Sequence, residues 1–406
     1  MLTLEQALAQ LLAAARPVAE IESLATEDAG GRILARAQRS RLDVPPLDNS
    51  AMDGYALRAC DVPTPGTRLP VAQRIAAGSV GARLDPGTAA RIFTGAPLPE
   101  GADAVVMQEQ CRADADGSAH GNVSVDHLPA PGDWIRRRGE DIARGGEILA
   151  AGTRLMPAQL GLAAAIGTAV LPVFRRLRVA LFSTGDELVM PGTVTPEAMP
   201  AGAIYNSNRA LLIGLLRAMQ CQVADLGIVP DSLAATREAL RRAAAGNDLI
   251  ISSGGVSTGE EDHVKPAVSA EGSLDLWKIA IKPGKPLAYG SVASASFIGL
   301  PGNPVSSLVT FLLLVRPFIL KAQGATALVP RQLTLRADFD WPKPDARREF
   351  LRVRRNEAGG LDLFANQNSS VLTSVVWADG LLDNPPGKRF ARGDAVSFLP
   401  FSELLY

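Results

Sequence analysis

The residues whose types and spacing carry the most chemistry lie in one run, Leu249-Ile250-Ile251-Ser252-Ser253-Gly254-Gly255-Val256-Ser257-Thr258-Gly259-Glu260-Glu261-Asp262. It begins as a short apolar stretch, the signature of a buried strand. It then breaks into glycines, which permit positive φ and let a ligand approach the backbone. Acidic residues follow where a helix could start. A strand, a glycine loop and a helix N-terminus together present free backbone N–H groups, which suit a phosphate. Gly254 and Gly259 have the spacing of a Walker A loop, but Glu260 and Glu261 stand where that loop needs Lys and Ser or Thr. A carboxylate beside a phosphate loop fits a Mg²⁺ ligand instead, since Mg²⁺ is held by one or two carboxylates plus substrate phosphate. Taken alone, the loop is also what an ordinary strand-to-helix turn with a solvated acidic cap looks like.

Two loops of similar character follow, Lys282-Pro283-Gly284-Lys285-Pro286 and Leu300-Pro301-Gly302-Asn303-Pro304. Upstream, Ser183-Thr184-Gly185-Asp186-Glu187 and the segment around Asp231 supply further carboxylates, and Lys278, Lys282 and Lys285 supply cations. Lys278 and Lys282 are four apart, so they share a side in a helix and also in an extended segment. Carboxylates, Mg²⁺ and lysines around one loop are what cleavage of a phosphate anhydride needs. Each Lys or Asp taken singly is a solvated surface charge; only their convergence points to chemistry.

The elements that must bring them together alternate. Arg178–Phe182, Gln222–Val229 and Asp248–Ser252 have the pattern of strands, and Asn208–Met219 and Ser232–Ala245 that of amphipathic helices. Such alternation predicts a parallel sheet with ligands at the carboxyl ends of its strands. Asn303 and Pro304 form a cap and first-turn pair for a long apolar helix, Val305–Leu320, too short to span a bilayer and carrying Arg316 and Pro317.

Before this region, residues 3–15 form an amphipathic helix with a Thr3–Gln6 capping box. From Leu42 to about Trp134, prolines and glycines around short apolar runs predict a small β domain. A second helix over Pro157–Ile166 rejoins the first, which makes the β domain an insertion. After Pro330, Leu333–Ala337, Phe350–Val353, Leu361–Phe364 and Ala395–Leu399 predict a small barrel or sandwich. The fold class is therefore multidomain α/β plus β.

Composition narrows the function. The 406 residues suggest several domains, and 47% hydrophobic residues make the chain globular. With 41 basic against 42 acidic residues there is no excess charge to hold a nucleic acid. The three cysteines form no C-x-x-C, which fits a reducing cytosol, and no signal peptide or membrane span is expected. With three histidines, histidine-based metal chemistry is not expected.

Seven motifs in order, DNSAMDGYA from Asp48, RIFTGAP from Arg91, RRRGED from Arg136, FSTGDEL from Phe182, ISSGGVSTGEED from Ile251, KIAIKPGKP from Lys278 and GLPGNPVSS from Gly299, resemble the molybdopterin molybdenumtransferase family, which includes bacterial MoeA and the E domain of gephyrin-like proteins. The resemblance spans nearly the whole chain. It implies an elongated helical domain over 1–41 and 139–174, an inserted β domain over 42–138, a molybdopterin-binding α/β domain over 175–328 and a C-terminal β barrel over 329–406. It implies molybdenum cofactor biosynthesis, with adenylylated molybdopterin and molybdate as substrates, AMP released, and Mg²⁺ as cofactor.

It also implies roles for residues. Asp262 and Glu187 would hold metal or substrate phosphate, and Lys278 and Lys282 phosphate or molybdate; Asp231 joins Asp262 and Glu187 as an expected metal ligand. Asp53, Thr94 and Asp141 come from the other domains. Gly254, Gly255, Ser257, Gly259, Lys285, Pro301, Gly302, Asn303, Pro304 and Ser369 shape or line the substrate pocket. The chain departs from the family pattern at Asn206, where Asp is common, and at Asp231, which stands without the usual acidic neighbour. The implied assembly is a cytoplasmic homodimer in which the β domain of one copy closes over the α/β site of the other. The implied protein partners are the molybdopterin adenylyltransferase and molybdoenzyme chaperones, with no nucleic acid and no membrane. The rival readings are a molybdopterin adenylyltransferase, a gephyrin-like scaffold, and a tungstate-inserting enzyme.

Overall fold

The computed structural model describes residues 1–114, 119–256 and 263–405. The chain forms two compact units, one of Met1–Arg36, Gly152–Met156 and Leu171–Tyr406, the other of Ala37–Ala151 and Pro157–Val170.

The first unit is built on a six-stranded sheet in the order Gln222–Val229, Arg178–Thr184, Leu249–Ser253, Ala295–Leu300, Pro286–Val292, Gly272–Lys278. The first four strands run parallel, as the alternation predicts. The last two pairings are antiparallel, so Pro286–Val292 runs against the other five strands and the sheet is mixed and not purely parallel. The reason is local: after Gly272 no helix separates the strands, and residues 293 and 294 alone join Pro286–Val292 to Ala295–Leu300. A two-residue connection can only reverse the chain. Ala293 takes φ 51° there, the positive φ that such turns demand.

Alternation along the central strands divides their side chains between two cores. Val179, Leu181, Leu249 and Ile251 pack on one side with Leu212, Leu215 and Leu216 of the Ser207–Ala218 helix. Ala180, Phe182 and Ile250 pack on the other with Ala239, Leu240 and Ala243 of the Leu233–Ala244 helix. Burial on both faces is why these strands are continuously apolar. The N-terminal helix Leu4–Ala14 begins with the expected reciprocal Thr3–Gln6 box and adds Ala7 and Leu11 to the first core.

The apolar helix after Pro304 runs to Ala322, 19 residues, with a π-helical stretch at Phe311–Val315. The sequence reading made it too short; by length and composition it could cross a membrane. It is instead a core helix, 94% buried over its most apolar window. Arg316, buried within it, donates to the carbonyls of Leu328 and Glu403, so its charge is not left without acceptors.

Downstream, five strands close a barrel: Arg348–Arg355, Gly360–Leu363, Leu333–Ala337, Ala395–Pro400, Gly380–Asn384, and back to Arg348–Arg355. Gly380–Asn384 is the strand the sequence did not reveal. The short strand Ile281–Lys282 pairs in parallel with Arg348 and Glu349 at the barrel's side.

The second unit holds a six-stranded sheet in the order Ala104–Met107, Gly54–Leu57, Ala89–Ile92, Thr67–Ile75, Asn122–Val125, Cys111–Asp114. At Gly54 two strands come close: a Cβ there would lie 1.9 Å from the Val106 carbonyl oxygen. The Pro157–Ala165 helix groups with this unit.

Candidate functional site

At the carboxyl ends of the parallel strands lies a cavity of about 830 Å³. Each strand delivers one wall. Arg178–Thr184 runs out into Gly185 and Glu187, and Leu249–Ser253 into Gly254 and Gly255. Ala295–Leu300 runs out into Pro301, Gly302, Asn303 and Pro304. The loop after Gln222–Val229 brings Asp231. The glycines are required. Gly254 has φ 92° and a Cβ there would come 2.9 Å from the Thr184 carbonyl oxygen; Gly255 has φ 68° and its Cβ would meet Val264 at 2.3 Å. Gly302 faces open space, which leaves its backbone free to approach a ligand.

Asn303 occupies the N-cap position expected of it, with Pro304 opening the helix, and its carbonyl accepts from the Ser307 N–H at 2.8 Å. Its side chain makes no capping bond. The serine motif meets the same helix start: the Ser369 carbonyl accepts from the Val305 N–H at 3.0 Å, and Ser370 lines the cavity.

Two carboxylates, Glu187 and Asp231, line the cavity, and Asp186 pairs with Asp231. Asp231 accepts through Oδ2 from the Asp186 N–H, and Asp186 through Oδ1 from the Asp231 N–H, both at 3.2 Å. Burial pushes the Asp231 carboxyl above its ordinary value, and the charges of Asp186 and Glu187 add to the rise against the Asp186 N–H. Among the described residues, none of the three forms a salt bridge. That is the environment a divalent cation would relieve. The described residues alone offer no group of three or more His, Cys, Asp or Glu arranged to hold one. Ser257, Gly259 and Asp262 lie outside the described residues.

The lysines do not line the cavity. Lys278 ends the Gly272–Lys278 strand, and Lys278, Lys282 and Lys285 are exposed; of that loop only Pro286 contributes to the wall. Lys282 is also not the free surface cation its sequence suggests. Its ammonium lies 3.3 Å from Asp345 and 3.3 Å from Glu349. Glu349 is fully buried and accepts from Trp341 Nε1 at 2.7 Å and Asn384 Nδ2 at 3.4 Å. Asp345, gripped by the Arg347 guanidinium, is held well below the usual carboxylate range.

In the second unit, Asp53 and Thr94 do come together: Asp53 Oδ1 accepts from both the N–H and the hydroxyl of Thr94, each at 2.7 Å. Those two bonds lower the Asp53 carboxyl, with a smaller contribution from Arg91. Asp141 is exposed, its N–H donating to the Val44 carbonyl. Sequence reasoning assigned no role to Tyr205 and Asn208, and noted Asn206 only as a departure; all three line the cavity. The available signal was an Asn-Ser-Asn start to an amphipathic helix, which marks a cap and not a ligand.

Comparison with known proteins places these elements in a family. Residues 2–167 match the MoeA N-terminal region (domain I and II), residues 180–321 a probable molybdopterin binding domain, and residues 334–401 the MoeA C-terminal region (domain IV). The chain is 40% identical to a molybdopterin molybdenumtransferase of Haemophilus influenzae over 413 residues, 100% of both chains. It is 33% identical to that of Bacillus subtilis over 398 residues, 95% of this chain and 90% of the other. A molybdopterin biosynthesis MoeA protein of Pyrococcus horikoshii superposes with a TM-score of 0.84 at 28% identity, covering 98% of this chain and 100% of that one.

Proposed function

Because the chain belongs to the molybdopterin molybdenumtransferase family, we propose that its strand-end cavity is where molybdate enters adenylylated molybdopterin, with AMP released. The protein is a transferase of molybdenum cofactor biosynthesis. The observation that carries the assignment of the site is the meeting of the glycine loop, the Pro301–Pro304 loop and the Glu187–Asp231 carboxylates at one cavity. That cavity lies mostly within the stretch that matches the molybdopterin binding domain.

The backbone at Gly254, Gly255 and Gly302 cradles the phosphate-bearing part of the substrate, which side chains would crowd. Lys278, Lys285 and Lys282 draw the anions toward the site, and the barrel fixes where Lys282 stands. Glu187 and Asp231, with Asp262, are the residues that would hold Mg²⁺; the raised carboxyl of Asp231 supports this. Bound there, the ion would neutralise charge on the phosphate anhydride. Asp53, Thr94, Asp141, Ser257, Gly259 and Ser369 keep the roles that the resemblance implies. The four-domain division at 1–41 with 139–174, 42–138, 175–328 and 329–406 is supported by the family matches, which break near the last two boundaries. A cytoplasmic homodimer that works beside the molybdopterin adenylyltransferase and molybdoenzyme chaperones completes the reading.

The purified chain supplied with adenylylated molybdopterin should release AMP when molybdate is added, stop in EDTA and resume with Mg²⁺. Consumption of ATP without need of an oxyanion would make it an adenylyltransferase instead. AMP release that survives full chelation would take Mg²⁺ out of the mechanism. Running molybdate against tungstate measures which oxyanion is preferred.

A further inference from the structure

Asp53 stands directly before the strand Gly54–Leu57, and Thr94 lies just beyond the strand Ala89–Ile92. The two strands pair antiparallel, with Gly54 opposite Ile92 and Tyr55 opposite Arg91. Their ends bring the Asp53 carboxylate to Thr94, and both donors of Thr94 go to Oδ1. Asp53 Oδ2 has no hydrogen-bond partner among the described residues. The carboxylate is therefore aimed, and its aim is only as fixed as the backbone that carries it. Gly54 has no side chain with which to hold that backbone, because a Cβ there would meet the Val106 carbonyl.

Arg91 supplies the hold. Its Nη1 donates to the Gly54 carbonyl at 2.8 Å, and its Nη2 to Gln108 Oε1 at 2.6 Å. The Gln108 N–H in turn donates to the Asp53 carbonyl at 3.0 Å. The carbonyls of Asp53 and Gly54 are thus tied to one guanidinium, the second directly and the first through Gln108. The same guanidinium lies over the Phe93 ring, 4.6 Å from its centroid, and the Tyr55 ring, 5.2 Å from its centroid. It therefore touches the residue before Thr94 as well as those after Asp53. Among the described residues Arg91 forms no salt bridge, although it is partly buried. A cation directed at neutral carbonyls and rings is a costly way to fill space, since nothing repays its lost hydration in full.

We propose that Arg91 is a positioning residue, whose guanidinium holds the Asp53–Gly54 bend so that Thr94 binds Oδ1 and Oδ2 stays free for the substrate. The inference rests on the proposed role of Asp53 and Thr94 in the reaction. Arg91 acts through Asp53 and not on the substrate. The planar fork matters here, because it serves two acceptors in fixed directions, which an ammonium does not.

Steady-state AMP release with molybdate present is measured on the whole protein carrying Arg91→Met, Asp53→Asn or both. Arg91→Met keeps an unbranched stem against Phe93 and Tyr55 and removes the charge and the fork. Thermal melts compare how much of each variant is folded. The expected result is about tenfold lower kcat for Arg91→Met with KM near that of wild type, since misplacing a group by about an ångström is felt this strongly. In the Asp53→Asn background the same substitution should change kcat by less than about twofold, because residues that act as a unit are not additive. A role in folding alone would lower kcat by the same factor in both backgrounds. That result overturns the inference and leaves the proposed function intact, as does an Arg91→Met kcat within about twofold of wild type. If Arg91→Met melts far below wild type, Arg91→Lys takes its place, keeping a charge and losing the fork, and the same two comparisons decide. Wild-type turnover in Asp53→Asn removes the role of Asp53 and this inference with it. Absence of AMP release from the wild-type protein overturns the proposed function itself.

Discussion

Lys282 carries two demands at once. Its motif was legible in the sequence, but its carboxylate partners were not, because Glu349 lies 67 residues away and no local spacing connects them. The pairing changes what its loss should do. A surface lysine costs little to remove, but removing this one leaves the buried Glu349 carboxylate with only Trp341 and Asn384. Lys282→Ala should therefore lower stability by about 2 kcal/mol, less than for a fully buried pair because Lys282 is half exposed. Lys282→Ala/Glu349→Leu should recover part of that loss in thermal unfolding. A single variant that melts with wild type would mean the pair bears no weight. Asp231 sets the opposite balance. Its folded-state carboxyl is raised, so ionisation opposes folding once pH rises above the ordinary aspartate value of 3.8. Asp231→Asn should then raise the melting temperature at neutral pH in EDTA, give no gain at pH values low enough to protonate the carboxyl in both states, and abolish any stabilisation by Mg²⁺. An unchanged response to Mg²⁺ would remove Asp231 from the metal's shell.

Whole elements were easier to find than their directions. The parallel core was legible because strands buried on both faces are continuously apolar and are separated by helical periodicity. The antiparallel side was not, since Pro286–Val292 carries no sign that it runs against Ala295–Leu300. Gly380–Asn384 escaped because it ends in Asp383 and Asn384, which depress strand character locally and find partners in Arg348 and Glu349 of the neighbouring strand, far away in sequence. Gly299, on an inner strand of the sheet, shows how close packing sets the site. A Cβ there would come 2.4 Å from Val256 Cγ1 and 3.2 Å from both Ala288 and Ser252. Gly299→Ala should cost about 1–3 kcal/mol, and, because Val256 continues the glycine loop, should slow AMP release further than the lost stability explains. Equal losses of folded protein and activity would show that the loop had not moved.

At the scale of the molecule, motif order alone disclosed the family, because each motif contains a loop that follows or precedes a regular element. The proposed homodimer rests on the resemblance alone, since nothing in one chain's pattern shows what a second copy covers. The proposed homodimer is tested by mixing Asp53→Ala with Asp262→Ala chains. If each site draws on both copies, exchange should restore about a quarter of wild-type activity, since half the dimers are mixed and each has one intact site. Tag-purified mixed dimers as inactive as their parents would rule this out. The long core helix carries a different kind of consequence. Pro304–Ala322 is synthesised before Phe350, Leu381, Leu399 and Leu404, which belong to the same core cluster. While the ribosome is still translating the barrel, the part of the cluster that these residues will complete has no cover, and the most apolar helix of the chain is open to chaperones and proteases. A stop codon after residue 330 should therefore yield not a smaller enzyme but a chain that cellular quality control removes.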